Sequence, residues 1–304
     1  MSNLLRALFR RRLHTQAVTF GALAVSALSG IAAGTVIRTS GHYLAPYFGM
    51  AFALLAMLTS QTALCGSVLQ NGAFRNFCAA GWRKSQIFCA FLLDAVIWAI
   101  PAAVLFVLPF ALLSANVTRL CDPGVVAQGC LALGMMLVFA IVLCTVLMLI
   151  KQQTAPALLL CIGCIGALLI AGYSVRKLIS SGNWSEINPN KIQPVLQIGQ
   201  EPDRQEQKRW VRNYNLQSPL REPVIVLHQL NPLVPLFDYE EYTHDPGFRE
   251  ELAADPTLAA RRPWAAEAVE WDALMIDGAP RCQLGMLLLT GCIGLVFFRR
   301  RDIQ

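Results

Sequence analysis

The stretch Gly129–Ile150, GCLALGMMLVFAIVLCTVLMLI, decides the fold class. It carries no charged residue. An α-helix rises ~1.5 Å per residue, so a run of this length crosses the ~30 Å hydrocarbon core of a bilayer. A surface helix of a soluble protein would show a polar stripe every third or fourth position, and this run has none. Working outward, comparable runs occur at Val18–Ile37, Tyr47–Leu69, Ile87–Leu113 and Ala155–Val175. A shorter one follows at Cys282–Phe298, where Arg281 can snorkel at the edge. Backbone polar groups in lipid must be satisfied within the segment, so the six runs are expected as helices. The expected class is therefore an all-α integral membrane protein with six transmembrane helices.

The rest of the composition agrees. Charged residues make up 14% of the chain and the mean hydropathy is +0.49, against roughly 25% charged in a typical soluble domain. Arginine and lysine set the expected orientation. With a cytoplasmic N-terminus, the inner segments hold Arg6, Arg10, Arg11, Arg12, Arg75, Arg83, Lys84, Lys151, Arg299, Arg300 and Arg301. The short outer loops hold Arg38 and Arg119. That asymmetry places both termini in the cytoplasm of a multi-pass protein of the cell membrane. The formal net charge of +6 is then an inner belt facing lipid headgroups, and no nucleic acid is implied. Before the first span, Leu4, Leu5, Leu8 and Phe9 form an apolar stripe beside Arg6 and Arg10–Arg12. The spacing predicts an amphipathic helix lying in the inner interface, with an ordinary basic anchor as the alternative.

Three regions follow from this layout: residues 1–175 with the first five spans, an extracytoplasmic segment 176–281, and residues 282–304 with the sixth span and a tail. The middle segment holds 16 acidic and 12 basic residues. Its turn signals are Asn188-Pro189, Asn231-Pro232 and Asp245-Pro246-Gly247. Glu206–Tyr214, Phe248–Ala254 and Trp264–Met275 are helix candidates, the last with Trp264, Ala268, Trp271 and Met275 on one face. Pro223–His228 is a short apolar stretch. The segment is expected to form a compact, mostly helical element, a disordered loop being the alternative that the tryptophans and tyrosines near Trp210–Tyr242 argue against. Of the ten cysteines, most sit inside spans as small hydrophobes. Cys161-Ile-Gly-Cys164 has metal or redox spacing but lies mid-span without a second ligand pair, so packing is expected. Cys121 and Cys130 flank an outer loop. They can pair in principle, with two free thiols the simpler expectation.

No catalytic or metal site is expected. The chain has no G-x-x-x-x-G-K-[ST] phosphate loop and no H-E-x-x-H, and its four histidines are scattered. Asp94 is the single acid within a predicted span. An intramembrane carboxylate is a candidate transport-path residue, the alternative being a pairing with Arg83, Lys84 or another inner-face cation. Pro101 and Pro109 fall inside the third span, where kinking is expected.

The connection Gln70–Gln86, QNGAFRNFCAAGWRKSQ, is too long and too aromatic for a minimal turn. It predicts a short inner helix, part of a coupling region at 71–85, ended by Gly81 and presenting Phe74, Phe77 and Trp82 toward the cytoplasm. Its run N-G-A-F-R-N-F-C-A-A-G-W-R-K-S-Q-I-F resembles the stretch between the second and third helices of ABC-2 type permease subunits. A Gram-positive subset has a pattern close to [DN]-G-x-[IF]-R-N-K-x-x-x-G-x-[ST]-R-x-x-I-[YF]. Asn71, Gly72, Phe74, Arg75, Asn76, Gly81, Ile87 and Phe88 match it. Phe77 stands where lysine is usual, and Arg83-Lys84 where a small residue and arginine are usual. The tail Phe297-Phe-Arg-Arg-Arg-Asp-Ile303 is similar to the family's F-[RK]-[RK]-x-D-[IL] ending.

The resemblance implies a transport subunit that is not itself an enzyme and needs no cofactor. It would pair with a separate ABC ATPase subunit and with a second permease chain, as a homodimer or heterodimer, in membrane lipid. Phe74, Arg75, Asn76, Phe77, Gly81 and Arg83 would carry the contact with the ATPase. ATP-driven export is the implied activity, with lipid-like, peptide or hydrophobic cargo fitting the apolar spans. The rival readings are a secondary transporter and a non-transporting membrane sensor or scaffold.

Overall fold

The computed structural model describes residues 2–40, 45–70, 73–181, 221–243, 246–258 and 272–300. Among the described residues every regular element is a helix. In chain order these are α1 (Ser2–His14), α2 (Gln16–Ser40), α3 (Ala45–Gln70), α4 (Ala73–Ala79), α5 (Lys84–Leu113), α6 (Ala115–Thr118), α7 (Pro123–Lys151), α8 (Thr154–Ser181), α9 (Arg221–Gln229), α10 (Pro235–Thr243), α11 (Pro246–Ala254) and α12 (Ala279–Arg300). Six of them are long and apolar enough to cross a membrane: α2, α3, α5, α7, α8 and the span Asp272–Arg300 that contains α12. The protein is a multi-pass helical membrane protein.

Helix ends follow local chemistry. Asp122 caps α7: its Oδ1 accepts the N–H of Gly124 at 2.6 Å and of Val125 at 3.4 Å, satisfying donors that the first turn leaves open. Proline at the first position of α7 forfeits no hydrogen bond. Between α7 and α8 the chain turns within Lys151–Thr154, with Gln152 in the left-handed region at φ 55°. Pro101 and Pro109 lie inside α5 without ending it.

The chain divides into two compact units. The first comprises Met1–Asn116, Cys130–Gly166 and Gln283–Gln304. Its centre is α7, where Leu133, Leu137, Phe139, Ile141, Cys144 and Leu149 are all buried. Small residues bring α2 and α5 together. A Cβ added at Gly30 would collide with the carbonyl of Phe106, and one at Gly34 would meet the Cβ of Leu113 at 2.7 Å. Gly49 does the same for α3 against α2, with Ser29 O at 3.0 Å from the added Cβ. Close backbone approach of this kind is how helices gain packing energy in lipid, where apolar burial alone drives little association. α8 is the least covered span, with Leu159 and Ile170 each 71% exposed.

The second unit comprises Val117–Gly129 and Ala167–Cys282. Helices α9, α10 and α11 occupy it, the first two joined by a turn at Asn231-Pro232 where the Asn231 side chain accepts the N–H of Leu233. The same side chain donates to Leu168 O at 2.6 Å. Cys121, Tyr242 and Ile276 form one buried cluster, and Ile225 with Met275 another. The stretch Pro223–His228 is helical, within α9, and Phe248–Ala254 falls in α11. Glu206–Tyr214, Asn188-Pro189 and most of Trp264–Met275 lie outside the described residues. Neither Cys121 nor Cys130 is in a disulfide.

Two sequence expectations need correction. The apolar stripe of α1 is not Leu4, Leu5, Leu8 and Phe9 together. Leu4 and Leu8 are buried, but Phe9 is 47% exposed and the buried row continues to Arg12. The second concerns Phe74, which does not face outward. It is 5% exposed, its ring stacked on Phe91 at 5.4 Å and tilted against Phe298 at 5.9 Å.

Candidate functional site

Two places on the first unit concentrate polar chemistry, and both are built on the N-terminal half of α5. The first is the seat of Asp94. Spacing puts Asp94 and Trp98 one turn apart on one face of α5, and Phe91 one turn earlier. On α1, Leu4, Leu8 and Arg12 recur every fourth residue, so the row that buries two leucines delivers an arginine to the same helix. Arg12 and Asp94 are 2% and 4% exposed. Arg12 donates from Nη2 to Asp94 Oδ2 at 2.5 Å and from Nε to Oδ1 at 3.5 Å. The same Nη2 donates to Gln61 Oε1 at 2.8 Å, and the guanidinium lies 5.3 Å from the Trp98 ring centroid.

Three helices are thus held through one cation. The cation that pairs with Asp94 is Arg12, not Arg83 or Lys84 at the start of its own helix. The Gln61 amide also donates toward Cys65 Sγ, and Ser60 donates to Thr19 at 3.2 Å, extending the polar seam onto α2. Phe9 stacks on Trp98 at 6.1 Å, and Phe20 meets the same ring edge-on at 6.4 Å. A buried ion pair costs much of its Coulomb gain in desolvation, so its chief effect is to fix which groups meet. Here it fixes α1 against α3 and α5.

The second place is α4. Gly81, at φ 84°, ends the helix in a Schellman arrangement. Trp82 N–H donates to Phe77 O at 3.1 Å and Gly81 N–H to Cys78 O at 3.0 Å. A side chain at that φ would be strained, which is why the turn uses glycine. The Gln86 side chain then accepts the Arg83 N–H at 3.0 Å and starts α5. Phe74 is the anchor, set between Phe91 of α5 and Phe298 of α12, while Phe298 also meets Phe88 at 5.5 Å. With Phe74 turned in, Arg75 and Asn76 point out and are exposed, as are Gly81 and Arg83, and Phe77 is half-buried. The structure therefore divides the motif into an apolar plug and a polar outward face.

Of the residues singled out in the sequence, Arg75, Asn76, Gly81 and Arg83 are exposed, Phe77 is half-covered, and Phe74 and Asp94 are interior. Sequence reading left Arg12 unnamed among the other inner-face cations open to Asp94, and it missed Gln61 and Trp98. The signal for Arg12 was its four-residue register with Leu4 and Leu8. No group of three or more His, Cys, Asp or Glu among the described residues is arranged to hold a metal ion.

The chain matches no family model, no curated protein and no solved structure.

Proposed function

We propose that this chain is the membrane-spanning subunit of an ATP-driven exporter of the ABC-2 type, with both termini and α4 on the cytoplasmic side. The observation that carries the reading is the build of α4. A seven-residue helix sits between two spans, plugged into the bundle by one aromatic ring and exposing Arg75 and Asn76. A force applied to such a helix passes to α5 and α12 through Phe74, because packed aromatic contacts do not deform continuously. The motif that resembles ABC-2 permeases lies on this same segment. In this reading α4 is the coupling helix. A separate ATPase subunit grips Arg75, Asn76 and Arg83, and two permease chains line the path. The segment 176–281 is extracytoplasmic, and Asp94 secures α1.

The test is co-purification with a P-loop ATPase subunit from native membranes, read as associated ATP hydrolysis. Arg75→Glu is expected to abolish that activity while the chain still inserts and extracts normally. Undiminished recovery of ATPase with the Arg75→Glu chain contradicts the assignment, and so does nucleotide hydrolysis by the purified chain alone.

A further inference from the structure

The four arginines of α1 look equivalent in sequence, but the structure gives them two fates. Arg12 is consumed by Asp94 and Gln61, and Arg11 donates to Ser67 O at 3.2 Å. Arg6 and Arg10 are exposed, one turn apart on the outward side of α1, with Phe9 47% exposed beside them. Neither has a partner among the described residues. The first unit holds only two acids in all, Asp94 and Asp302, against twelve arginines and lysines. Asp94 is already paired. Among the described residues of the first unit no acid is left to pair with Arg6 or Arg10.

The seat of α1 says what counter-ion Arg6 and Arg10 take. α12 passes from apolar to charged at Phe298-Arg299-Arg300, and the Phe298 ring lies against Phe88 of α5. The C-terminal half of α1 is seated on Asp94 and Trp98 of α5. Phe9 and Phe20, both touching Trp98, and Val18 face outward into the medium that surrounds the spans. A face that sets exposed aromatics beside exposed arginines suits the boundary between headgroups and acyl chains, where arginines reach phosphate.

We infer that Arg6 and Arg10 form a binding site for the phosphate of an anionic phospholipid, with Phe9 and Phe20 against its acyl chains. Arg11 and Arg12 serve only to hold the helix that presents it. The inference rests on the membrane placement of the spans and takes the cytoplasmic leaflet from the proposed orientation. It is independent of the ATPase.

The experiment is hydrogen exchange on the full chain in nanodiscs of zwitterionic lipid, alone or mixed with phosphatidylglycerol. Exchange in α1 peptides is expected to slow several-fold with the anionic lipid in the wild type. The Arg6→Gln/Arg10→Gln chain should lose that slowing and Lys151→Gln should keep it. Equal exchange in both lipids overturns the site, as does full slowing in the double variant. Inorganic phosphate that reproduces the slowing in zwitterionic discs overturns the lipid assignment. Loss of ATPase recovery by the double variant in zwitterionic lipid assigns this face to protein and also overturns it. Failure of Arg75→Glu alone would touch only the exporter reading.

Discussion

At the scale of single residues, the account turns on charge that is buried and matched. Asp94→Asn leaves the Arg12 guanidinium without its counter-charge in a desolvated seat, a change that costs roughly 3–5 kcal/mol when a buried pair loses one partner. The variant should melt well below the wild type in nanodiscs. Replacing Arg12 and Asp94 together by leucines should recover much of the loss, since no lone charge remains. An equal drop for the double variant would show that the pair is not what holds α1. Cys121 gives a second test at this scale. Burial raises its thiol pKa above the ordinary value, with the Arg249 guanidinium pulling weakly the other way. Raising the pH through the ordinary thiol range converts an open cysteine to the reactive thiolate while Cys121 stays protonated. Alkylation followed by peptide mapping should therefore find Cys121 lagging behind an exposed thiol at mildly alkaline pH. Labelling at the rate of an open thiol would count against its burial.

At the scale of helices, glycine positions separate close packing from open surface. Gly30 lies against the backbone of Phe106, which cannot move aside cheaply, whereas Gly163 on α8 has nothing within 4 Å of an added Cβ. Gly30→Ala should destabilise by about 1–3 kcal/mol through overpacking, and Gly163→Ala should leave the melting temperature unchanged or slightly raised. Reversal of that order would mean that α2 and α5 are not in contact through these faces. The helices themselves were plain in the sequence. Expected spans such as Tyr47–Leu69 and Ile87–Leu113 differ from α3 and α5 by a few residues, because charge and proline bracket them. What was not legible is which way each helix turns. Phe74 looked like an outward aromatic because the residues around it are polar. Its plugging contacts, Phe91 and Phe298, come from other helices, the second more than two hundred positions away. Arg12 and Asp94 are 82 positions apart, and only the fold brings them to one level.

Across the whole molecule, charge is sorted by unit. The first unit carries twelve basic residues and two acids, while the second holds the other seventeen acids with thirteen basic residues. Sequence reading saw a cationic belt and a segment of mixed charge. It could not see that part of the belt is internal, with Arg12 lost to Asp94 and Arg11 to a backbone carbonyl. The cations left outside are those on the exposed faces of α1 and α4 and at the ends of α5, α7 and α12. The α4 group carries the proposal of an ATPase partner. The most direct measurement of that claim is site-specific photo-crosslinking in intact cells. A benzophenone amino acid replaces Asn76, which is exposed beside Arg75 and outside the Phe74 plug. The account predicts one dominant adduct, whose mass spectrum identifies a P-loop ATPase subunit. A probe at Phe9 should give lipid adducts and no such band. Adducts of the position-76 probe with lipid alone, or with an extracytoplasmic protein, would contradict the account.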